Sequence, residues 1–267
     1  MCLLLICCFS CLLVILTLPS SLFPLPFHLY TNMIFELDDD IIAFPHPELP
    51  LLDDAGGLVA VGGDLSIERL LFAYDHGYFP WYAFRYKDIQ WYCPSERFVI
   101  FPDEVHVSHS MRTLINKHWY RVTFNTAFDQ VIRGCSTVDG RINEAGAWLG
   151  DEIINAYTKL HELGRARSVE VWRGDELVGG LYGVTSGSGF VGESMFSREP
   201  NTSKLALIAL ARCMQEHGGS LIDCQIRTTH LESLGARYIT YKEYITALHG
   251  PEAYHSWQER PILMHNA

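Results

Sequence analysis

The residues whose types and spacing can do chemistry lie between Leu177 and Ala236, most densely in Leu221-Ile222-Asp223-Cys224-Gln225. An apolar run that ends in Asp-x-Gln reads as a buried strand carrying a carboxylate and an amide to its carboxyl end, the edge where open α/β sheets hold their ligands. Thr228-Thr229-His230 follows and opens a short helical pattern. Upstream, Gly189 to Phe196 is a second apolar strand pattern with one carboxylate, Glu193. An ionised carboxylate is costly to bury alone, so Glu193 is either paired inside the fold or used. One acidic residue in a strand is ordinarily a paired or solvated group; several polar features in one such segment favour a site.

The residues that other chemistries need are absent. The chain has no His-Glu-x-x-His, no paired Cys-x-x-Cys knuckles, no Walker loop and no Gly-x-Gly-x-x-Gly. Its 12 His are dispersed, so no metal is expected. Of the 8 Cys, Cys2, Cys7, Cys8 and Cys11 share one apolar run with no Asp, Glu or His near it, and Cys93, Cys135, Cys213 and Cys224 stand apart. That scatter fits reduced thiols of a cytoplasm rather than a disulfide framework. A net charge of −11 argues against a general nucleic-acid coat protein, while leaving room for a local basic patch.

The elements that must position these groups follow from the pattern. At 267 residues the chain can bury one large core or two smaller ones, and 48% hydrophobic with 19% charged residues is ordinary for a folded protein. Gly56 to Asp64 is an apolar segment bracketed by glycines, and Ser66 begins a helix that stops at Gly77. The aromatics Phe79, Trp81, Trp91 and Tyr92 suit a core or the wall of a pocket. Helices are expected over Ser108–Lys117, Ala127–Arg133 and Glu152–Leu163, with a strand from Arg121 to Phe124 between the first two. From Ser168 the period changes to two: a strand to Trp172, a turn at Gly174-Asp175, a strand from Glu176 to Val184, and the strand holding Glu193. A helix capped by Thr202 or Ser203 runs to Met214, the strand Leu221–Cys224 follows, and a short helix, the pair Tyr238-Ile239 and a helix Tyr241–Leu248 close the pattern. Three antiparallel strands, a helix and further strands imply a mixed α/β sheet with one crossover helix.

The first 32 residues read differently. Cys2 to Leu18 is almost wholly apolar and a Pro-rich tail follows, yet the first Lys or Arg is Arg69, so neither a signal peptide's positive start nor an anchor's orienting charge is present. The run is also at the lower limit for spanning a bilayer. Met33 then opens an ordinary sequence, which points to residues 1–32 as a non-native extension from a start assigned too early, with a membrane segment as the rival reading.

Many of these segments, in collinear order, resemble one family. Phe44-Pro45, Gly62-Gly63-Asp64-Leu65-Ser66, Ala73-Tyr74, Phe79-Pro80-Trp81, Ser168-Val169-Glu170, Leu177-Val178-Gly179-Gly180-Leu181-Tyr182-Gly183, Gly192-Glu193-Ser194-Met195-Phe196-Ser197-Arg198, Leu221 to Gln225 and His230-Leu231-x-Ser233-Leu234-Gly235-Ala236 look like the bacterial leucyl/phenylalanyl-tRNA-protein transferases. The match runs from about Met33 to Leu248. It implies a small N-terminal α/β domain (33–105) followed by a catalytic domain (106–267) similar to the Gcn5-related acetyltransferases. It also implies a cytoplasmic enzyme, without cofactor, metal or membrane, that takes Leu or Phe, and Met less well, from aminoacyl-tRNA. The acceptor is the N-terminal Arg or Lys of a protein, marked thereby for degradation through the N-end rule.

The resemblance also implies roles. Gln225 would position the reacting amine, Asp223 would orient Gln225 or polarise the relay, and Glu193, with Thr228, would meet the basic acceptor. Leu181, Phe190, Met195, Ser197, Leu207 and Leu210 would line the aminoacyl pocket, although Leu207 and Leu210 also read as ordinary core. Tyr74, Trp81, Trp148 and Tyr157 would embrace the terminal adenosine, and Arg112 and Lys117 would touch the tRNA backbone. The chain departs from the family at Trp91-Tyr92-Cys93-Pro94-Ser95-Glu96-Arg97, at Gly146 to Gly150, in the longer loop from Ser136 to Ala145, and at His109, where an Arg is common. Two rivals remain at this level. An acetyl-CoA-dependent acetyltransferase would need a Gly-rich loop before the crossover helix, where this chain has Ser197-Arg198-Glu199-Pro200-Asn201-Thr202. A non-catalytic reader of basic amino termini or of aminoacyl-tRNA would keep the pocket and lose turnover.

Overall fold

The structure, a computed structural model, describes residues 2–8, 12–18, 33–46, 56–81, 88–137 and 150–253. The chain divides into two compact units, residues 1–95 with 251–267, and residues 96–250.

The first unit holds β1 (Cys2–Cys8), β2 (Leu12–Leu18), β3 (Met33–Leu37), β4 (Leu58–Gly62), α1 (Ile67–Asp75), β5 (Phe79–Trp81) and β6 (Gln90–Tyr92). Its sheet runs β2-β1-β3-β4-β6-β5. The N-terminal apolar run, expected to lie outside the native chain, is thus two strands at one edge of this sheet, with Leu3 opposite Glu36. Phe44, whose ring stands 4.7 Å from Tyr78 and 5.0 Å from Trp91, anchors an aromatic core. Ser66 caps α1 as expected, accepting from the Arg69 backbone N–H. Arg69 itself is buried and carries the motif Gly62 to Ser66: its guanidinium pairs with Asp64 at 2.9 Å and donates to the carbonyls of Asp38, Asp39 and Ile41. Burial opposes ionisation of Asp64, but hydrogen bonds from Ser66 and the Arg69 charge outweigh it and hold the carboxyl below its usual range.

The second unit holds β7 (Glu96–Ile100), α2 (His109–Asn116), β8 (Arg121–Phe124), α3 (Phe128–Ser136), α4 (Asp151–Glu162), β9 (Ala166–Arg173), β10 (Glu176–Ser186), β11 (Gly189–Ser197), α5 (Thr202–Glu216), β12 (Ile222–Asp223), α6 (Thr229–Glu232), β13 (Arg237–Thr240) and α7 (Tyr241–His249). Seven strands form one mixed sheet in the order β13-β7-β12-β11-β10-β9-β8. Strands β8 to β11 are antiparallel neighbours, α5 crosses over, and β12 returns parallel to β11, so the mixed α/β fold is the one the pattern implies. The strand the pattern missed is β7. It lies between β12 and β13, antiparallel to both, with Val99 opposite Asp223. It also puts residues 96–100 in the second sheet, and the second unit begins at Glu96, ahead of the expected boundary at 105. Its sequence, Glu96-Arg97-Phe98-Val99-Ile100, follows a Pro-containing segment.

The glycine-rich run in β10 is explained by what packs on it. A side chain at Gly179 would overlap Thr202 at the start of α5, and one at Gly180, on the opposite face, would meet Phe196 and Val131 of α3. Helix α5 therefore lies close on one face of the sheet and α3 on the other. At Gly183 the β10–β11 register shifts, and a Cβ there would overlap the Val191 carbonyl. Glu170 of β9 is fully buried without a cation; it accepts from Ser168 Oγ (2.5 Å), Thr123 Oγ1 (2.6 Å) and Thr126 Oγ1 (3.0 Å), which ties β9 to the end of β8. Among the described residues no helix is long and apolar enough to cross a membrane.

Candidate functional site

The site is built at the end of β12, a strand of two residues that places Asp223 inside the sheet and Gln225 just beyond it. Asp223 is wholly buried. One of its oxygens, Oδ2, receives the Arg97 guanidinium of β7 and the Tyr244 hydroxyl of α7, the latter at 2.9 Å. The other, Oδ1, accepts the backbone N–H of Gln225 at 2.8 Å. Arg97 also stacks over the Tyr244 ring, 4.4 Å from its centroid. Gln225 adopts the left-handed conformation, φ +58°. That conformation costs a residue with a side chain about 1–2 kcal/mol, and the Asp223 hydrogen bond helps to hold it.

Asp223 and Glu193 hold different parts of Gln225. Asp223 holds the backbone, and the carboxylate that meets the side-chain amide is Glu193 of β11: Gln225 Nε2 donates to Glu193 Oε1 at 2.9 Å. Tyr157 of α4 donates its hydroxyl to Glu193 Oε2, also at 2.9 Å. Because a carboxylate can only accept, it fixes which end of the amide faces it, and the Gln225 carbonyl oxygen points elsewhere as an acceptor. The intervening Cys224 offers no nucleophile, since burial, and then the Asp223 charge, push its thiol far above the ordinary range.

The remaining predicted site residues fall into three groups. Leu181, Phe190, Leu207 and Leu210 are buried in one apolar cluster with Met195 packed against it, Leu181 and Met195 being direct cross-strand partners. The reading of these residues as ordinary core and the reading as a pocket wall share the same packing. Ser197 Oγ accepts the Ser203 backbone N–H at 2.9 Å. It thereby caps the crossover helix, whose N-cap residue is Asn201 (φ +71°) rather than Thr202 or Ser203. Thr202 instead donates to the Val178 and Glu199 carbonyls. With the Thr202 N–H also bonded to Glu199 O, the first two amides of α5 are occupied internally, which makes this turn less suited to a pyrophosphate. Thr228 caps α6 by accepting the Leu231 N–H at 3.2 Å.

Tyr157, expected beside adenosine, is buried with its ring edge-on to Tyr182 and its hydroxyl on Glu193. Tyr74 is buried in the first unit, Trp81 ends β5 against Tyr92, and Trp148 and most of the loop from Ser136 to Ala145 lie outside the described residues. Arg112 is exposed on α2, and Lys117, its C-cap residue, lays its ammonium 4.2 Å from the Trp119 ring centroid. Two functional partners escaped the sequence reading: Arg97, visible only as an Arg after Pro94, and Tyr244, which looked like any aromatic on the inner face of α7.

Fold and site together define a mixed α/β protein in which an amide is held at a fixed orientation by a carboxylate and a pinned backbone. Comparison with known proteins makes the assignment specific. Residues 99–249 match the family model for leucyl/phenylalanyl-tRNA protein transferase, and residues 63–95 the model for its N-terminal domain. The transferase of Salmonella paratyphi A is 46% identical over 235 residues, which covers 86% of this chain and 98% of that protein. The transferase of Pectobacterium carotovorum is 47% identical over 215 residues, covering 80% and 89%. The chain belongs to the leucyl/phenylalanyl-tRNA–protein transferase family and is an aminoacyltransferase that uses aminoacyl-tRNA and a protein acceptor. Among solved structures, L-PGS from Bacillus licheniformis aligns at TM-score 0.37 and 15% identity over 72% of this chain and 61% of that one.

Proposed function

We propose that this enzyme moves Leu or Phe from Leu-tRNA or Phe-tRNA to proteins beginning with Arg or Lys, in the cytoplasm, and so marks them for degradation through the N-end rule. Family membership supports the donor and acceptor classes, and the observation that carries the mechanism is the Gln225–Glu193 hydrogen bond. The donor ester is already activated, so the chemistry is aminolysis. The acceptor's α-ammonium loses a proton, its nitrogen forms a bond to the ester carbonyl carbon, and the ester C–O bond breaks to release the ribose hydroxyl of the tRNA. An amide is too weak a base to take that proton, so Gln225 orients the amine through its carbonyl oxygen while Glu193 complements the positive charge of the acceptor. Asp223, enclosed by protein groups, acts by holding Gln225. A ribose hydroxyl of the tRNA serves as the proton carrier.

Leu181, Phe190, Met195, Leu207 and Leu210 form the apolar surround of the transferred side chain, with Met195, the partly exposed member, supplying adaptability. Thr228 takes the acceptor role, and Trp81 the adenosine role, that the resemblance gives them. The test is transfer of labelled Leu to a peptide with amino-terminal Arg. Gln225→Ala is expected to lower kcat by about a hundredfold, the scale of losing a positioned reacting group. Transfer at the wild-type rate would refute the assignment, and binding of both substrates without turnover in the wild type would favour a non-catalytic reader.

A further inference from the structure

Asp223 makes three hydrogen bonds, all of them to protein groups, and has no exposed surface. Its burial keeps it out of reach of substrate. What it does at the site must therefore pass through the Gln225 backbone N–H, and its own placement depends on the two side chains that seize its other oxygen. Those come from distant parts of the sequence, Arg97 in β7 and Tyr244 in α7, and they brace each other by stacking.

We propose that Arg97 and Tyr244 are positioning residues for the transfer reaction, acting on Gln225 through Asp223; the inference rests on the reading of Gln225 given above. The physical chain has three links. Arg97 cancels the charge of a carboxylate that could not otherwise be buried. Tyr244 adds to the Arg97 contact a second donor at Oδ2 from a different element, so that this oxygen is held from two directions. The oriented Oδ1 then keeps Gln225 left-handed, the conformation that brings its amide to Glu193. Loss of either donor lets Gln225 relax toward the commoner right-handed or extended backbone and withdraws the amide from the reacting amine. Glu193 has its own donor in Tyr157 and stays in place, so substrate charge recognition survives while orientation is lost.

This predicts an effect on kcat rather than KM. In the full-length enzyme, Tyr244→Phe keeps the ring under Arg97 and removes one hydroxyl. It is expected to lower kcat for Leu transfer about three- to tenfold, the range for one hydrogen bond, with KM for Leu-tRNA and for the peptide changed less than about twofold. Arg97→Lys, which keeps the charge and loses the planar fork, is expected to act in the same direction and covers the case in which Tyr244→Phe fails to fold. A generally weakened fold would show the same proportional loss in any background, so both variants are also made on Gln225→Ala and followed in single turnover with excess enzyme. Positioning through Gln225 requires their effect to vanish there. An equal loss in both backgrounds, or unchanged kcat beside an impaired Gln225→Ala, overturns the inference and leaves the Gln225 reading standing. Wild-type transfer by Gln225→Ala itself removes that reading, and the inference with it.

Discussion

At the scale of single residues, the site uses two carboxylates for two tasks set by their surroundings. Asp223, enclosed and paired, holds the Gln225 backbone; Glu193, in a partly open strand end, lies between a phenol and an amide. A third titratable group, His230, belongs to a motif of the family yet reaches neither carboxylate in any described hydrogen bond. Its Nε2 is buried with no hydrogen-bond partner among the described residues. Burial, aided by the charge of Lys204, pushes its imidazole below the ordinary value of 6.5. The folded chain thus holds His230 neutral where the unfolded chain would protonate it, and the unfolded state binds more protons as pH falls through 6.5. The stability this group contributes is full above its unfolded value and is lost as pH drops through the folded one. His230→Gln is expected to flatten the fall of Tm between about pH 7 and about pH 5. Equal slopes in wild type and variant would refute this.

At the scale of elements, α7 matters beyond its length because it supplies Tyr244. Its start is a reciprocal cap: Thr240 Oγ1 accepts the Glu243 N–H at 3.3 Å, and Glu243 returns a carboxylate oxygen to the Thr240 N–H at 2.8 Å. Those bonds, the one from the Thr240 backbone foremost, hold the Glu243 carboxyl below its ordinary value, so this part of the helix's stability is present above about pH 4.5 and lost in acid. Thr240→Ala is expected to cost about 1 kcal/mol, the usual worth of an N-cap side chain, measured as a shift of the urea midpoint at unchanged m-value. No shift would mean that α7 is held by its buried face alone.

The same scale shows what was legible from residues. The helices and the strands β8 to β11 were readable because their periodicity and glycine stops are local. Strand β7 was not, since its partners are residues 222–223 and 237–240, far away in sequence. The cap on α5 was misread for a related reason: the oxygen comes from Ser197, six positions before the amide it satisfies. Likewise Asp223, Gln225 and Glu193 could be picked out as polar groups in apolar runs, whereas which carboxylate holds which atom of Gln225 depends on a backbone angle that only the fold reveals.

At the scale of the whole molecule, a chain of net charge −11 must still meet an RNA donor. Among the described residues, Arg112, Lys117, Arg121 and Arg212 form no ion pair, unlike Arg133, Arg173, Arg227 and Arg237, which all do. Unpaired cations are the ones whose charge is available to phosphate. Arg112→Ala and Lys117→Ala are each expected to weaken aminoacyl-tRNA binding and to reduce the slope of log affinity against log salt by about 1, with little effect on kcat at saturation. An unchanged slope would place the tRNA backbone elsewhere. Asp223 gathers its donors from positions 97, 225 and 244, and this has a consequence for biosynthesis. A ribosome making this chain releases Asp223 and Gln225 before Tyr244, so the full set of donors to Asp223 can assemble only once α7 has left the exit tunnel.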